Sequence, residues 1–515
     1  MKHFAICCRE LLWLGYFHRT FHGHEEFKKI LSPVDGNRIN SEDGFLLPEC
    51  FLCHIVSFMN NRSARSSFSL MLYTFLAVSS GAVAALWFGA FTPLLIVTPE
   101  GADSLREFAP IELKATETQD QQGTIQEWPQ LFGPLSNSTQ PDSVAQKISW
   151  ADAQPEIAWR KEIGSGYSSP IIAGGQAIVL HRVDDEEIAV AYDLKTGNLN
   201  WEYRYPTQYI CPNPPHSSGP YSTPLVDGNY VYIQSAEGVL RCLTLTGGEL
   251  VWEKNYSEDY EVPENVFAVG HTPTLDGDRL ILNIGGKPEA GVISIDKQNG
   301  DVLWTATDFG ASYAKPVLAT IHDKRFCFVL TAEEAVALNP ENGEVYWNFP
   351  FKAIAEDFVN ATTPVVFGDV VIFTAYQAGT IYLRIQPDGQ FEELRRDKRT
   401  LVSQFNPLTC LDGKLYGWHF SDKSFRCVDL ASGQLQWKWV SGLGRGTHLI
   451  SGDSIFLIGE SGKVAVVKRN PEELEILEVP TEPILKEPAF SAPAMSAGMI
   501  LIRNEEELVC LKVVE

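Results

Sequence analysis

An eleven-residue pattern recurs along the chain and constrains its fold more than any other feature. Its first clear copy, Ala191 to Trp201, has a small residue, an Asp two positions later, a Gly, and a Trp four residues after that Gly. The alternation before the turn predicts a strand, the Asp-x-x-x-Gly stretch predicts a turn with glycine at positive φ, and the Trp belongs to a returning strand. Further copies run over 242–252, 294–304, 337–347 and 427–437, and a degraded copy at 383–393 keeps Gly389 without the tryptophan.

Repetition at intervals of about 40–50 residues, with strands throughout, is typical of a propeller or a solenoid. In each unit, the pattern follows a strand that begins after a proline and a turn such as Asp227-Gly228 or Asp412-Gly413. Each unit therefore contains four strands, as a β-propeller blade does. Full blades are predicted at 168–203, 222–256, 271–307, 314–350, 362–396, 405–440 and 447–479.

The last unit begins at Ser491 and stops after three predicted strands. Glu156–Lys161 resembles the missing fourth strand, because its Trp159 lies 42 residues before Trp201. We expect this strand to complete the last blade and close the ring, which removes open sheet edges. The predicted fold class is therefore all-β, an eight-bladed β-propeller of four-stranded blades over residues 128–515, preceded by a single transmembrane helix.

Three further regions precede the repeats. Residues 1–58 contain no copy of the pattern and are expected to be an unstructured extension, or a stretch translated from a misplaced start with Met59 as the true initiator. No charged residue occurs from Ser66 through Pro99. This run exceeds the ~20 residues that cross a bilayer and predicts an uncleaved transmembrane signal-anchor at 66–97. Residues 98–127 are polar without periodicity, which predicts a flexible linker.

The charges beside the apolar run predict its orientation. Arg62 and Arg65 precede the run, and acidic residues follow it. The positive-inside rule then places the N-terminus in the cytoplasm. The chain is thus predicted to be a single-pass protein of the inner (cytoplasmic) membrane, with its propeller on the periplasmic or extracytoplasmic side. Cys50–His54 matches the C-x-x-C-H haem pattern, but this topology leaves it in the cytoplasm, so no haem is expected.

Composition excludes several other classes of site. The formal net charge of −24 argues against a nucleic-acid partner, because few basic groups are available to neutralise phosphates. Ten scattered cysteines do not form a disulfide scaffold. The acidic stretches Asp184–Glu187 and Glu505–Glu507 fall in predicted hairpin turns, where we expect solvated charges. They lack the alternating ligands of a calcium loop, and no metal site is predicted.

The repeat Ala-x-Asp-x-x-Thr-Gly-x-x-x-Trp resembles that of PQQ-like (pyrroloquinoline quinone) β-propellers over about residues 150–515. The stretch Trp128–Pro134 is similar to the lead-in of exported bacterial members. The family includes quinoprotein dehydrogenases and a non-catalytic scaffold, the propeller subunit of the outer-membrane β-barrel assembly machinery. The resemblance implies an eight-bladed ring with tryptophans docked between neighbouring blades. These would be Trp159, Trp201, Trp252, Trp304, Trp347 and Trp437.

The dehydrogenase branch of this family usually caps its quinone with adjacent cysteines and holds Ca²⁺ near the axis. The adjacent pair in this chain is Cys7-Cys8, on the predicted cytoplasmic side, and no local motif marks a Ca²⁺ site. Neither PQQ nor Ca²⁺ is therefore expected as a cofactor. The predicted function is a membrane-anchored, extracytoplasmic, protein-binding scaffold, and the alternative is a quinoprotein dehydrogenase or another propeller enzyme.

In a propeller, the loop before each inner strand ends near the central axis. Aromatic and polar residues occupy these loops, and the longest loop runs from Arg204 to Tyr221. They could pack the mouth of the ring or recognise an envelope protein or peptide. The catalytic alternative would use His271 or His216 as an acid/base at the same mouth. The predicted binding residues are Tyr167, Tyr221, His271, Tyr313, Arg445 and Phe490.

Overall fold

The computed structural model describes residues 110–113, 127–150, 154–213, 216–263, 267–354, 359–480 and 482–513. All of them belong to the compact unit Leu105–Glu515. The predicted extension 1–58, the anchor 66–97 and most of the linker 98–127 lie outside the described residues. Among the residues that are described, no helix has the length and apolar character needed to span a bilayer.

The described strands form eight antiparallel sheets of four strands each, which confirms the predicted eight-bladed propeller. In blades 1 to 7, the four strands of each sheet are consecutive in sequence, from the inner strand near the axis to the outer strand. Blades 1 to 4 contain β2 (Ile171–Ala173), β3 (Gln176–Val183), β4 (Glu186–Asp193) and β5 (Leu199–Pro206); β6 (Leu225–Asp227), β7 (Tyr230–Gln234), β8 (Leu240–Thr244) and β9 (Leu250–Lys254); β10 (Thr274–Asp276), β11 (Arg279–Leu282), β12 (Val292–Asp296) and β13 (Val302–Ala306); and β14 (Val317–Ile321), β15 (Lys324–Leu330), β16 (Glu334–Leu338) and β17 (Val345–Pro350). Blades 5 to 7 contain β18 (Val365–Phe367), β19 (Val370–Ala375), β20 (Gly379–Ile385) and β21 (Phe391–Asp397); β22 (Thr409–Leu411), β23 (Lys414–Trp418), β24 (Phe425–Asp429) and β25 (Leu435–Trp439); and β26 (Gly446–Ser451), β27 (Ser454–Gly459), β28 (Val464–Lys468) and β29 (Ile476–Glu478).

Blade 8 closes the ring with strands from distant parts of the chain, as predicted. Its outer strand, β1 (Glu156–Glu162), pairs with β32 (Glu507–Lys512) through partners such as Trp159 and Cys510. Fully buried Arg503 joins this blade to blade 1, because its guanidinium donates to Leu180 O at 2.7 Å and to Gly164 O at 3.0 Å. The four strands of blade 8 are β30 (Ala494–Ser496), β31 (Met499–Arg503), β32 (Glu507–Lys512) and β1 (Glu156–Glu162).

The small residue and the tryptophan of each repeat are cross-strand partners. Ala191 pairs with Trp201, and Cys427 pairs with Trp437. A small side chain fits here because directly opposed side chains lie about 4.5–5.5 Å apart at Cβ, and the partner is a large indole. Cys242 and Cys427 are free and buried, so they act as the small hydrophobic groups that their repeat position predicted.

The repeat tryptophans contact the turn of the next blade. The indole of Trp201 donates to Leu245 O at 2.8 Å and covers Gly248, where an added Cβ would lie 2.5 Å from Trp201 Cε3. The turn glycine is therefore required both by its φ of +67° and by the ring above it. The indole of Trp347 packs instead against the ring of Phe391, with centroids 4.7 Å apart. Equivalent indole-to-carbonyl bonds join Trp159 to Leu194, Trp252 to Lys297, Trp304 to Pro340 and Trp437 to Asn470.

Blade 5, whose repeat has lost its tryptophan, uses an arginine at this joint. Arg395 donates to Leu430 O at 3.1 Å and to Ala431 O at 2.7 Å. A Cβ added at Gly433 would lie 2.4 Å from Nη1 of this arginine. The guanidinium therefore takes the place of the indole, from a position two residues beyond Glu393, where the repeat pattern placed the tryptophan.

The hydrophobic core is divided among the joints between blades. At the first joint, Ala191 and Trp201 of blade 1 pack with Val231 and Leu243 of blade 2. Similar clusters occur at the other joints around the ring. Because close-packed interfaces of this kind deform little, the ring holds its inner loops in fixed positions at the axis.

The expectation of a solvated acidic turn at Asp184–Glu187 is wrong for its last residue. Glu187 is fully buried, and its carboxylate accepts hydrogen bonds from Tyr205 Oη at 2.8 Å and Ala236 N at 3.0 Å. Burial raises the pKa of this carboxyl group, although these two hydrogen bonds lower it. Glu187 therefore joins blade 1 to blade 2, while Asp184 and Asp185 form the exposed turn.

Candidate functional site

The loops before the inner strands meet at the axis and line a cavity of about 610 Å³. Successive residues of these loops alternate between the cavity and the protein interior. Tyr167 and Ser169 line the cavity, whereas Ser168 between them is fully buried away from it. Five of the six predicted binding residues lie in the lining: Tyr167, Tyr221, Tyr313, Arg445 and Phe490.

His271, the sixth predicted residue, lies behind the cavity wall. It occupies the position equivalent to Ser168 and is 2 % exposed. Its Nε2 is 3.2 Å from Gln234 Nε2, and burial lowers its pKa to about 4. The structure therefore does not bring His271 to the cavity, where Gly270 takes its place.

Backbone-to-hydroxyl hydrogen bonds link neighbouring inner loops around part of the axis. Ala492 N donates to Ser169 Oγ at 2.9 Å, and Ser169 N donates to Thr223 Oγ1 at 3.1 Å. Thr223 N then donates to Thr272 Oγ1 at 3.1 Å. Each hydroxyl belongs to the blade that follows its donor, so the loops of adjacent blades are fixed to one another.

Aromatic rings from the inner loops of blades 6, 8, 1, 2 and 4 form a chain of ring contacts around the cavity, which we call the aromatic arc. The ring of Phe490 lies 5.7 Å from Phe405 and 5.4 Å from Tyr167. Tyr167 lies 4.7 Å from Tyr221, which lies 6.5 Å from Tyr313. These centroid distances are typical of favourable aromatic pairs, so the rings support one another while their remaining faces line the cavity.

Two of the tyrosine hydroxyls in the arc are tied to the backbone. Tyr221 Oη donates to Ser217 O at 3.1 Å, and Tyr313 Oη accepts from Phe267 N at 2.9 Å. Burial raises the pKa of both phenols, and burial with the nearby Glu505 raises the pKa of Tyr167 to about 12. The phenols therefore remain neutral near pH 7, and the arc is an apolar and pre-positioned surface.

Arg445 is the one charged side chain among the described residues that line the cavity. Its Nε pairs with Glu460 Oε2 at 2.7 Å, and Lys423 pairs with the other oxygen of Glu460 at 2.7 Å. Burial raises the pKa of Glu460, but these hydrogen bonds outweigh it and hold the pKa below its usual value. The guanidinium lies 5.6 Å from the ring centres of both Phe405 and Phe490. The carboxylate of Glu460 thus faces two cations, Arg445 and Lys423.

The inner end of the cavity is closed by residues 127–150, here called the floor segment. Leu131 and Phe132 of this segment line the cavity. The segment crosses several blades: Trp128 N donates to Ile172 O at 3.0 Å, and Gln140 N donates to Ile450 O at 2.9 Å. The cavity is therefore blind, with its opening at the loops that carry the tyrosines. The lead-in from 128 to 134 is recognisable in the sequence, but its position across the axis is not.

A buried lysine attaches the floor segment to blade 4. Lys315 is 1 % exposed, and its Nζ donates to Gln130 Oε1 at 2.7 Å and to Ser136 Oγ at 2.8 Å. Burial lowers its pKa to about 7. The sequence does not predict this attachment, since nothing local to Lys315 indicates a contact with Gln130 or Ser136, which lie 185 and 179 residues away.

The described lining does not fit a calcium–quinone centre. Calcium prefers several carboxylate or carbonyl oxygens, and no Asp or Glu lies among the described lining residues. Within the described part of the chain, no group of three or more His, Cys, Asp or Glu side chains is placed to hold a metal ion. His216 lines the cavity but stacks on Phe267, with centroids 4.8 Å apart, and has no lining carboxylate beside it.

Comparison with known proteins identifies relatives of this ring. A family model described as outer membrane protein assembly factor BamB matches residues 139–259 and 211–439. The BamB protein of Yersinia pestis is 20% identical over 295 residues, which cover 55% of this chain and 71% of that protein.

Solved structures show the same architecture. The crystal structure of BamB from Moraxella catarrhalis superposes with a TM-score of 0.50 at 15% identity, over 70% of this chain and 100% of that one. A quinohemoprotein alcohol dehydrogenase from Pseudomonas putida HK5 gives a TM-score of 0.52 at 11% identity, over 75% of this chain and 80% of that one. At these identities, the likeness shows the fold alone.

Proposed function

Because the chain belongs to the family described as outer membrane protein assembly factor BamB, we propose that it is an envelope scaffold that binds another envelope protein at the mouth of its propeller. The observation that carries this proposal is the aromatic arc, a rigid apolar surface in which the hydroxyls of Tyr221 and Tyr313 are bonded to the backbone. Tyrosine and phenylalanine are enriched at the centres of protein interfaces because they bury large areas at low entropic cost.

We propose that residues 66–97 anchor the chain in the inner membrane, with the propeller on the periplasmic side. The name of the related family supports an envelope location. Ile111 N donates to Ala431 O at 2.7 Å, so part of the predicted linker contacts blade 6 on the same face as the floor segment. Residues 110–113 therefore lie on the face opposite the mouth. A reporter active only outside the cytoplasm should work when fused after residue 110, and activity of a fusion at residue 55 would contradict this topology.

An enzymatic role is the second candidate, since quinohemoprotein alcohol dehydrogenases share the fold. The described cavity lining favours the scaffold, because it offers no carboxylate to act as a base or to hold Ca²⁺. We therefore expect the purified full chain to reduce no dye when an alcohol, PQQ and Ca²⁺ are supplied together.

Partner capture tests the scaffold directly. The full chain, purified with an affinity tag from its own envelope, should recover a specific protein. Replacing Tyr167, Tyr221 and Tyr313 together by leucine should abolish this recovery while the melting temperature stays within a few degrees. Tyr230→Leu is the matched control, because Tyr230 is an exposed tyrosine at the start of a second strand, away from the mouth. Undiminished recovery by the triple variant, or quinone-dependent turnover by the parent protein, would reject the proposal.

A further inference from the structure

The blind cavity limits what can enter the mouth. Leu131 and Phe132 close its inner end, and the segment that carries them is bonded to blades on several sides of the ring. An extended chain cannot pass through such a cavity. Its volume of about 610 Å³ lies within the range of roughly 300–1,000 Å³ that is usual for ligand pockets. The cavity therefore suits one or two large groups that enter from the mouth and stop.

The walls of the cavity select an apolar group. The aromatic arc supplies ring faces around the wall, and Leu131 and Phe132 supply apolar surface at the inner end. A ring inserted between them would gain both hydrophobic burial and edge-to-face contact. The hydroxyls of Tyr221 and Tyr313 already have partners, so they do not require a polar group on the ligand.

The charge of the cavity lining favours a negatively charged group at the other end of the ligand. The chain has 65 acidic side chains and a net charge of −24, yet none of them lies in the described lining of the cavity. Arg445 is the charged side chain in the described lining. It lies at the mouth of the cavity, with Tyr167 and Phe490. Glu460 engages its Nε, and Nη1 lies 3.4 Å from Gln404 Oε1, at the limit of a hydrogen bond. The outer edge of this guanidinium therefore retains donors for an incoming carboxylate.

We propose that the cavity binds the carboxyl-terminal residue of a partner polypeptide, with its apolar side chain against the aromatic arc and its terminal carboxylate on Arg445. A chain end satisfies the three constraints together: it stops in a blind cavity, it offers one large side chain, and it always carries a negative charge beside that side chain. Capture of a terminal carboxylate is an established mode of peptide recognition. This inference rests on the proposed function and identifies which part of the partner the scaffold holds.

The test compares a free carboxylate with its amide. The probes are the pentapeptide Gly-Ser-Gly-Ser-Trp as the free acid and as the carboxyl-terminal amide, titrated calorimetrically into the full chain. Because hydrogen bonds to ionised groups are about twice as strong as neutral ones, the acid should bind about tenfold or more tightly than the amide. Arg445→Gln should reduce this ratio to about one. Arg469→Gln should leave it unchanged, since Arg469 also forms an ion pair, at 3.0 Å with Asp412, but lies outside the cavity lining.

A second variant covers the case in which Arg445→Gln does not fold. Ala361 lines the cavity and is partly exposed, so Ala361→Glu adds a negative charge without removing an ion pair. It should weaken binding of the acid about tenfold or more and leave binding of the amide nearly unchanged.

The outcomes separate this inference from the scaffold role. Equal binding of acid and amide would overturn the carboxylate assignment. Binding of 3-phenylpropionate as tight as that of the peptide acid would show that the site takes a free small carboxylate and would overturn the chain end. If neither peptide binds although the envelope partner is still captured through the tyrosines, the chain-end inference fails and the scaffold stands. If Arg445→Gln abolishes partner capture and the parent protein binds the peptide acid more tightly than the amide, both the scaffold role and the chain-end inference are supported.

Discussion

At the scale of single residues, the repeat glycines have two separate physical requirements. Gly248 has a φ of +67°, a region that residues with a Cβ rarely adopt, and it also lies under the indole of Trp201. Gly228 has a φ of +56°, but an added Cβ there would meet nothing within 4 Å. The pair therefore separates the conformational requirement from the packing requirement.

Alanine at these two glycines should destabilise the protein to different extents. Gly228→Ala should cost about 1 kcal/mol of unfolding free energy, the usual penalty for a left-handed alanine. Gly248→Ala adds overpacking against Trp201, typically a further 1–3 kcal/mol, and should cost about 2–4 kcal/mol in total. Denaturant unfolding of both variants measures the difference. Equal losses would mean that the indole does not constrain the turn.

The sequence placed the residues at the mouth in the loops before the inner strands, and their distance from the strand prolines explains the one misplaced member. Tyr167, Tyr221 and Tyr313 stand three residues before a proline and reach the cavity, whereas His271 stands two before and points away from it. The role of Arg395 was not predicted, because the repeat pattern does not indicate that an arginine two residues after the tryptophan position would replace the indole.

At the scale of strands, the closing strand β1 (Glu156–Glu162) is the element on which the ring depends. It was predictable because blade 8 lacked a fourth strand and Trp159 fitted the repeat spacing. Without it, β32 would present unpaired backbone groups along hydrophobic residues such as Leu508 and Leu511, which is a template for aggregation.

Truncated chains should reveal this dependence. A chain that begins at residue 154 lacks the floor segment and keeps β1, while a chain that begins at residue 164 lacks both. The chain from 164 should have a free energy of unfolding lower than that of the chain from 154 by at least about 3–5 kcal/mol, the cost of removing one buried aromatic side chain. It should also aggregate on heating. A chain that begins at residue 105 is the control, because it keeps the contact of Ile111 with blade 6, and it should melt like the full protein. Similar melting of the chains from 154 and 164 would contradict closure by β1.

At the scale of the whole molecule, the chain uses its two faces differently. Residues 110–113 and the floor segment lie on the face where the first and second strands of each blade turn, while the aromatic arc lies at the other. Sequence repeats specify the ring because every blade follows one pattern. They do not specify the floor, since Gln130 and Lys315 are 185 residues apart and belong to no repeated pair. The blind shape of the cavity therefore became visible only in three dimensions.

The attachment of the floor to the ring should depend on pH. Lys315 has a pKa of about 7 in the folded protein because of burial, compared with 10.5 for a free lysine. The folded state thus binds fewer protons than the unfolded state between about pH 7 and 10, so stability should rise with pH in this window, by at most about 1.4 kcal/mol per unit. Below pH 7, Lys315 is protonated in both the folded and the unfolded state, so its effect on the free energy of unfolding no longer changes with pH. Lys315→Met should remove this slope, whereas Lys352→Met, at an exposed position, should keep it. Chemical denaturation from pH 6 to 9 measures the slope for the three proteins. Parallel profiles for the parent and Lys315→Met would show that the lysine is not buried beneath the floor.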